Sequence, residues 1–265
     1  MKTLHLPIAL TIAGSDSGGG AGIQADLKTF TALGCHGTTA LTCITAQNPR
    51  AVIGIQSISA AMVQKQIEAV CAELPPRAVK TGMLFSPEII NVVAAFFAKG
   101  KRPPLIVDPV MVATSGAVLL KPSAIRALKE RLLPLATLVT PNLDEAQLLL
   151  GRKLRSLEDL LDAAAELHAT FGCAALVKGG HLKLGNDAVD VLFDGEYFTV
   201  LKARRVHGVS THGTGCTYSA AIAAHLAQDE KLPRAVALAK EFITRAIVRS
   251  YRAAGHTVLN HPAGA

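Results

Sequence analysis

The sequence contains no tryptophan, and aromatic residues make up only 4% of its 265 residues. Half of the chain is nevertheless hydrophobic, mainly alanine, leucine, valine and isoleucine. This composition is typical of parallel sheets buried beneath helices. The net charge is +7, but the lysines and arginines are scattered and are not interleaved with aromatic residues. The composition therefore argues against a nucleic-acid binder and favours a protein that binds small anions.

Cysteine pairs and long apolar runs are also missing. Five cysteines stand at positions 35, 43, 71, 173 and 216, an odd number with neither close pairing nor the spacing of a metal site. This pattern indicates neither a disulfide framework nor a zinc site, so we expect a reducing compartment. The longest apolar stretch, around residues 89–98, is too short to span a bilayer, and residues 1–20 lack a signal-peptide pattern. We therefore expect a cytoplasmic protein.

Two common nucleotide-binding motifs are absent or incomplete. The one Gly-Lys pair, Gly100-Lys101, is followed by Arg102 and does not form a Walker A loop. Residues 20–25 match the dinucleotide pattern G-x-G-x-x-A, but the loop that contains them is several residues too long. The next apolar strand ends at residues 45–48 without an acidic residue to hold a ribose, which disfavours a dehydrogenase.

Apolar runs and helical patterns alternate along the chain. This order predicts an α/β fold, a three-layer α/β/α sandwich with a mostly parallel central sheet, in a single domain spanning residues 1–265. Residues 187–193 and 197–206 predict an antiparallel hairpin joined at residues 194–196. A helix is expected over residues 122–133 and a last one over 232–251, followed by a loop.

The stretch Thr211-His212-Gly213-Thr214-Gly215-Cys216-Thr217 leads directly into a long apolar helix. Small residues at a helix start leave backbone N–H groups available at the positive end of the helix dipole, which favours a bound anion such as phosphate. A thiol on the first turn would be stabilised there as thiolate, so Cys216 is a candidate base or nucleophile. Ordinary helix capping and a buried structural cysteine are the alternative.

Three polar residues follow or adjoin predicted strand ends, where open α/β sheets bind ligands. Asp108 ends the strand 105–108, and a turn carboxylate before proline is its alternative role. Lys178 is delivered to Gly179-Gly180, which suits a phosphate, although a surface lysine has the same pattern. Glu145 stands three residues after Asn142, so a capping box competes with ligand binding there.

Together these segments resemble the ribokinase superfamily, and within it the branch of hydroxymethylpyrimidine and phosphomethylpyrimidine kinases of thiamine synthesis. The resemblance covers nearly the whole chain in seven ordered blocks: residues 13–16 with 19–26 (GGAGIQAD), 45–48 (TAQN), 81–84 (TGML), 107–111 (VDPVM), 140–142 (TPN) with Glu145, 177–181 (VKGGH) and 211–217 (THGTGCT). The fold it implies is the ribokinase-like sandwich. The reaction it implies is phosphoryl transfer from MgATP to a hydroxymethylpyrimidine, commonly followed by a second transfer to the monophosphate.

The resemblance also implies roles for single residues. Asp26 and Gln47 would hydrogen-bond the pyrimidine edge, and Ala21, Met83 and Val110 would form apolar walls. Asp108 and Glu145 would lie at the Mg²⁺ and the phosphates, while Lys178, Asn142, Glu145 and Thr211 would contact ATP. Lys178 would also act in catalysis by neutralising phosphoryl charge. The amides of Gly213, Thr214, Gly215 and Cys216 would hold the transferred phosphoryl group, and the Cys216 thiolate would act as general base, contributing about 10² to 10⁴ in rate.

Two other functions stay open on the sequence. Pyridoxal kinases of the same cysteine-bearing branch act on another flat heteroaromatic ring with a hydroxymethyl arm, and the residues barely separate the two acceptors. A non-catalytic ligand-binding regulator would be expected to lose Lys178 or Cys216, and both are present. The family resemblance further implies a homodimer. The departures from the family pattern are small: Tyr218 stands where an apolar residue is usual, and the glycine-rich pattern near the end is represented by residues 255–261.

Overall fold

The predicted apolar runs form one large sheet in the computed structural model, which describes residues 5–100, 102–112, 119–180, 182, 185–209 and 212–264. The strands of this sheet are β1 (Ile8–Asp16), β2 (His36–Gln47), β3 (Val52–Ser57), β4 (Ala78–Thr81), β5 (Leu105–Val107), β6 (Leu138–Val139), β7 (Ala174–Lys178), β8 (Asp187–Phe193) and β9 (Phe198–Arg204). Their spatial order is β3-β2-β1-β4-β5-β6-β7-β8-β9.

The middle of the sheet is parallel and its two edges are antiparallel. Strands β2, β1, β4, β5, β6 and β7 run in the same direction, whereas β3 pairs antiparallel with β2, and β8 and β9 form the antiparallel hairpin expected from the sequence. The carboxyl ends of the six parallel strands therefore meet at one edge of the sheet. Ligands of open α/β sheets bind at that edge.

Helices cover both faces of the sheet, as expected for a three-layer sandwich. They are α1 (Gly22–Ala32), α2 (Ala60–Glu73), α3 (Pro87–Phe97), α4 (Pro122–Ala127), α5 (Leu143–Leu150), α6 (Leu157–Phe171), α7 (Thr214–Ala227) and α8 (Leu232–Val248). Side chains alternate along β1, so that Leu10 and Ile12 pack with α2 to α6 while Ala9 packs with α1, α7 and α8. Within the described residues, none of the helices has the length and apolar character needed to cross a membrane.

Two segments differ from the sequence-based expectation. The helix expected over residues 122–133 is regular only to Ala127, continues as a wider turn over Leu128–Leu132 and then tightens over Leu133–Leu135. Pro134 accounts for this, because its ring cannot follow a regular helix. The expected loop after α8 contains a hairpin of β10 (Tyr251–Ala253) and β11 (His256–Val258), and its turn has positive φ at Ala254 and Gly255.

Candidate active site

A cavity of about 530 Å³ opens at the carboxyl edge of the parallel strands. Its lining comes from the loop after β1, the ends of β2, β4, β5, β6 and β7, the β8–β9 hairpin, and the helices α7 and α8. The polar residues that the sequence placed at strand ends therefore lie around one space. A concave site with a few convergent polar groups is the usual form of a small-molecule site.

The start of α7 forms one side of this cavity. Gly213, Thr214, Gly215 and Cys216 all line it, and α7 has neither a side-chain cap nor an acidic residue in its first turn. Gly213 has φ +81°, and a Cβ there would lie 1.8 Å from the carbonyl oxygen of Gly20. Only glycine fits at this crossing of two loops, which brings the first-turn amides to the cavity as an anion site requires. Thr211, expected at the nucleotide, lies outside the described residues.

Lys178 and Asp108 form a buried ion pair below the start of α7. Lys178 Nζ lies 2.9 Å from Asp108 Oδ1, and Asp108 also accepts hydrogen bonds from Thr140 Oγ1 and Ser219 Oγ, each at 3.2 Å. Burial alone would raise the pKa of Asp108, but Lys178 and Lys80 bring it below its usual range. The Asp108 carboxylate is therefore ionised, and its partner lysine points towards the α7 start, since a Cβ on Gly215 would lie 3.4 Å from Lys178 Nζ.

Glu145 and Asn142 form the capping box that the sequence offered as one of two interpretations. The Asn142 amide donates to Glu145 Oε2 at 2.8 Å, and the Glu145 amide donates to Asn142 Oδ1 at 2.9 Å. Both residues also line the cavity. Burial, with a smaller contribution from Asp108, raises the pKa of Glu145 to about 8. Glu145 therefore both caps α5 and lines the cavity. A cation bound nearby would favour the charged form of its carboxylate.

Cys216 faces the cavity, but as a thiol. Burial raises the pKa of Cys216 to about 11, and the nearby Lys80 ammonium opposes this only in part. The sequence predicts a thiolate stabilised by the helix start, whereas desolvation of the sulfur acts in the other direction and favours the neutral thiol. Cys216 lies on the first turn of α7 and lines the cavity together with Gly213, Thr214 and Gly215.

Asp26 does not reach the cavity, contrary to the role implied by the family resemblance. Both of its carboxylate oxygens lie 2.8 Å from Lys80 Nζ, Thr11 Oγ1 donates to it at 2.6 Å, and none of the residue is exposed. Lys80 does line the cavity. Asp26 is therefore positioned to act on a ligand through Lys80 instead of touching it.

The other residues expected at the acceptor do line the cavity. Gln47, Ala21, Met83 and Val110 are all partly exposed there. Gln47 stands at the end of β2, where its Oε1 accepts a hydrogen bond from Thr45 Oγ1 at 3.1 Å. This side chain and the three apolar residues line the same cavity as the start of α7, Lys178 and Asp108.

Several functional candidates were missed in the sequence. Lys80 lies in the buried strand β4, and a lysine within an apolar strand is the feature of the sequence that could have indicated a role at the site. Asp16 accepts backbone hydrogen bonds from Gly18, Gly20 and Ala21 and lies 3.1 Å from His212 Nε2, which joins the loop after β1 to the start of α7. Although burial raises the pKa of Asp16, the hydrogen bond with His212 and the loop amides lower it overall.

A third buried pair lies at the far end of the cavity. Lys240 Nζ of α8 contacts Asp190 Oδ2 of β8 at 2.6 Å, and both residues line the cavity. The signal in the sequence was Asp190, which stands between apolar residues in the middle of strand β8. This pair extends the polar lining from the α7 start towards the β8–β9 hairpin.

Comparison with known proteins gives consistent matches. The family model described as phosphomethylpyrimidine kinase matches residues 16–260. A hydroxymethylpyrimidine/phosphomethylpyrimidine kinase of Rhizobium meliloti is 52% identical over 242 residues, covering 91% of this chain and 90% of the relative. A thiamine biosynthesis bifunctional protein of Geobacter sulfurreducens is 50% identical over 253 residues. The match covers 95% of this chain but 51% of that longer protein. The structure of a Bacillus subtilis pyridoxal kinase in complex with ADP is similar at a TM-score of 0.89 and 40% identity, with 98% of both chains covered.

Proposed function

The chain belongs to the phosphomethylpyrimidine kinase family, and from this membership we propose that it transfers the γ-phosphoryl group of ATP to hydroxymethylpyrimidine and then to the resulting monophosphate, yielding the pyrophosphate used in thiamine synthesis. One observation carries the proposal: the α7 start, the Lys178–Asp108 pair and Gln47 line the same cavity. A phosphate site and a heteroaromatic site must adjoin in such an enzyme.

The proposed mechanism depends on charge and position. Phosphoryl transfer involves little covalent chemistry by the protein, so the barrier is lowered mainly by placing the two substrates in line and by stabilising negative charge. The amides of Gly213, Thr214, Gly215 and Cys216 would bind the oxygens of the transferred group. Lys178, which lies beside these amides, would neutralise its charge.

Cys216 is proposed to receive the proton of the acceptor hydroxyl. Because the thiol is protonated in the free protein, it must lose its proton as the complex forms before it can act as a base. The positive charge of Lys80 favours the thiolate, while the negative charges of Asp26 and Asp108 oppose it. The balance of these buried charges would therefore set how much active base is present.

ATP and Mg²⁺ are the proposed nucleotide and metal. A similar structure contains ADP, and Lys178, Asn142 and Glu145 lie around the part of the cavity where phosphates would sit. The described residues contain no group of three or more metal-ligating side chains, but Mg²⁺ commonly uses one or two carboxylates together with phosphate and water oxygens. The ionised Asp108, with Glu145 nearby, fits that requirement. Bound Mg²⁺ would neutralise phosphate charge.

The acceptor is proposed to stack between Met83, Val110 and Ala21, with Gln47 bonding the ring edge. Asp26 would contribute by holding Lys80. Pyridoxal is the second candidate acceptor, because the Bacillus subtilis relative that this chain resembles along its whole length is a pyridoxal kinase. We place it second because the curated relatives of similar length are hydroxymethylpyrimidine/phosphomethylpyrimidine kinases.

The direct test supplies purified protein and MgATP with each of three acceptors: the aminopyrimidine alcohol, its monophosphate and pyridoxal. Mass spectrometry of the products is expected to show the monophosphate from the first acceptor and the pyrophosphate from the second. The matched control is Cys216→Ala under the same conditions. Turnover of pyridoxal alone would make pyridoxal the preferred acceptor in place of hydroxymethylpyrimidine. No turnover of any acceptor would overturn the proposed reaction.

We also propose that the protein is a homodimer. The edge strand β3 and its neighbour β2 expose Ile53, Ile55 and Ile44, with Ile53 76% exposed. An exposed apolar sheet edge is a common association surface. Light scattering on the eluting protein should give twice the chain mass of 27.7 kDa, and Ile53→Lys should shift it towards the monomer.

A further inference from the structure

Residues 256–264 form a segment with no role in the mechanism above, although it is firmly attached to the fold. Leu259 is buried, the Asn260 amide donates to the carbonyl of Ala246, and the Gly264 carbonyl accepts two hydrogen bonds from the Arg245 guanidinium at 2.9 and 2.6 Å. The segment is thereby fixed to α8. It also packs on α1, whose first residue follows the loop that lines the acceptor side of the cavity.

His261 of this segment contacts α7 one residue beyond the thiol of the site. His261 Nε2 lies 3.1 Å from Thr217 Oγ1, and the two residues are 2% and 0% exposed. Burial lowers the pKa of His261 to about 4, so the ring is neutral near pH 7. A neutral imidazole and a hydroxyl satisfy each other in a buried hydrogen bond, whereas leaving either without a partner there costs about 1–3 kcal/mol.

Thr217 belongs to the turn that supplies the phosphate-binding amides. Its own amide donates to the carbonyl of Gly213 at 2.9 Å, which closes the first turn of α7 over Thr214, Gly215 and Cys216. Its hydroxyl, through His261, joins this turn to the segment that rests on α1 and α8. The bond therefore fixes the α7 start through two residues that are not part of the cavity lining.

We propose that Thr217 and His261 are positioning residues for phosphoryl transfer, holding the α7 amides and Cys216 in place against the acceptor side of the site. This inference rests on the proposed kinase function. A displacement of about 1 Å at reacting groups can lower a rate about 10²-fold, so a hydrogen bond one residue from Cys216 can affect turnover without touching a substrate.

The first test is Thr217→Val, which keeps the side-chain volume and removes the hydroxyl. We expect kcat to fall about 10- to 100-fold, the KM for ATP to change less than about threefold, and Thr217→Ser to restore kcat. Thr29→Val is the matched control, because Thr29 is also fully buried but its hydroxyl, among the described residues, bonds the Ala25 carbonyl of its own helix. That control should leave kcat unchanged.

His261→Ala should lower kcat to a similar degree, and the double variant with Thr217→Val should be no slower than either single variant, because both remove the same bond. Additive losses in kcat would overturn the coupling. Thermal unfolding of each variant distinguishes a loss of stability from a loss of kcat in the folded protein. If Thr217→Val and Thr29→Val lose the same stability but only the first loses turnover, the positioning role is supported.

A second readout does not depend on the identity of the acceptor. Alkylation of Cys216 by a small maleimide, followed by peptide mass spectrometry with Cys216→Ser as baseline, should be faster in Thr217→Val than in the wild type or in Thr29→Val. If the wild type turned over no acceptor, the kinase proposal would fail while this measurement still decided the positioning role. Equal alkylation rates in the three proteins would overturn the inference.

Discussion

The helices α6 and α7 begin in opposite ways. At α6, Ser156 accepts the Asp159 amide and Asp159 in turn accepts the Ser156 amide, so the helix start is closed by its own side chains. At α7, the N-cap residue is Gly213 in a left-handed conformation, no side chain among the described residues caps the turn, and the first-turn residues line the cavity. The reciprocal side-chain cap that closes the start of α6 thus has no counterpart at the N-cap of α7 within the described residues.

Helix α1 resembles α7 in this respect. It begins after Ala21 with no side-chain cap, again next to the cavity. Each of these two helices instead carries a buried polar residue bound to another part of the chain: Asp26 to Lys80 in α1, and Thr217 to His261 in α7. Tertiary contacts of buried polar residues therefore accompany both of these helices that lack a side-chain cap.

Removal of the Cys216 thiol from α7, the helix without a side-chain cap, should give the largest effect, a loss of kcat. Cys216→Ala is expected to lower kcat about 10²- to 10⁴-fold, the usual contribution of a general base. Nucleotide affinity, measured by calorimetry with ADP, should stay within about threefold of the wild type because the backbone amides remain. Turnover near the wild-type rate in this variant would exclude the sulfur from the mechanism.

Loss of the α1 contact should affect the fold more than the chemistry. Asp26→Asn leaves the Lys80 ammonium buried without its counter-charge, and breaking such a pair costs about 3–5 kcal/mol in the free energy of unfolding. Denaturant unfolding measures this loss. Asp26→Asn with Lys80→Met should recover a large part of it, since no lone charge then remains. Asp162→Asn, at an exposed site on α6, is the control and should change stability by less than about 0.5 kcal/mol.

Much of the architecture could be predicted from the sequence because its causes are local. Apolar runs mark the strands, Ser156 marks the start of α6, and glycines mark the start of α7. The positions of Asp108 and Lys178 at the site also follow from the sequence. Parallel strands end at a common edge, so residues at their carboxyl ends converge whatever their separation along the chain.

The remainder depends on contacts between distant residues. Asp26 is sealed from the cavity by Lys80, which lies 54 residues away and gives no sign of the pairing in the sequence. The Asp16–His212 contact joins residues 196 apart. The pKa of Cys216 follows from burial of its sulfur among Lys80, Asp26 and Asp108, whereas the local pattern contains only the helix start. Burial and long-range charge are tertiary properties, which a motif does not encode.

The His261 contact of α7 should make stability fall in acid. The pKa of His261 is about 4 in the folded protein, against an ordinary value of 6.5 for a solvated histidine, so folding favours the neutral ring. The contribution is present above pH 6.5 and is lost as the pH falls from about 6.5 to about 4, by at most about 3 kcal/mol. Unfolding curves at several pH values should show a smaller acid loss in His261→Gln. A wild-type-minus-variant difference that stays constant between pH 7 and pH 4 would contradict this account.

The smallest effect is expected at the capped helix, and it completes the comparison. Ser156→Ala removes the side-chain oxygen that accepts the Asp159 amide at 3.1 Å, so the free energy of unfolding should fall by about 1 kcal/mol. Turnover should be unchanged, because α6 packs into the core on the opposite face of the sheet from α7. Ser156→Asp keeps an acceptor at the cap and should retain wild-type stability. Ser156→Ala would then lower stability without affecting kcat, the reverse of Cys216→Ala. If Ser156→Ala lost kcat while the protein remained fully folded, the start of α6 would affect the site at α7, and the two helix starts would not be independent.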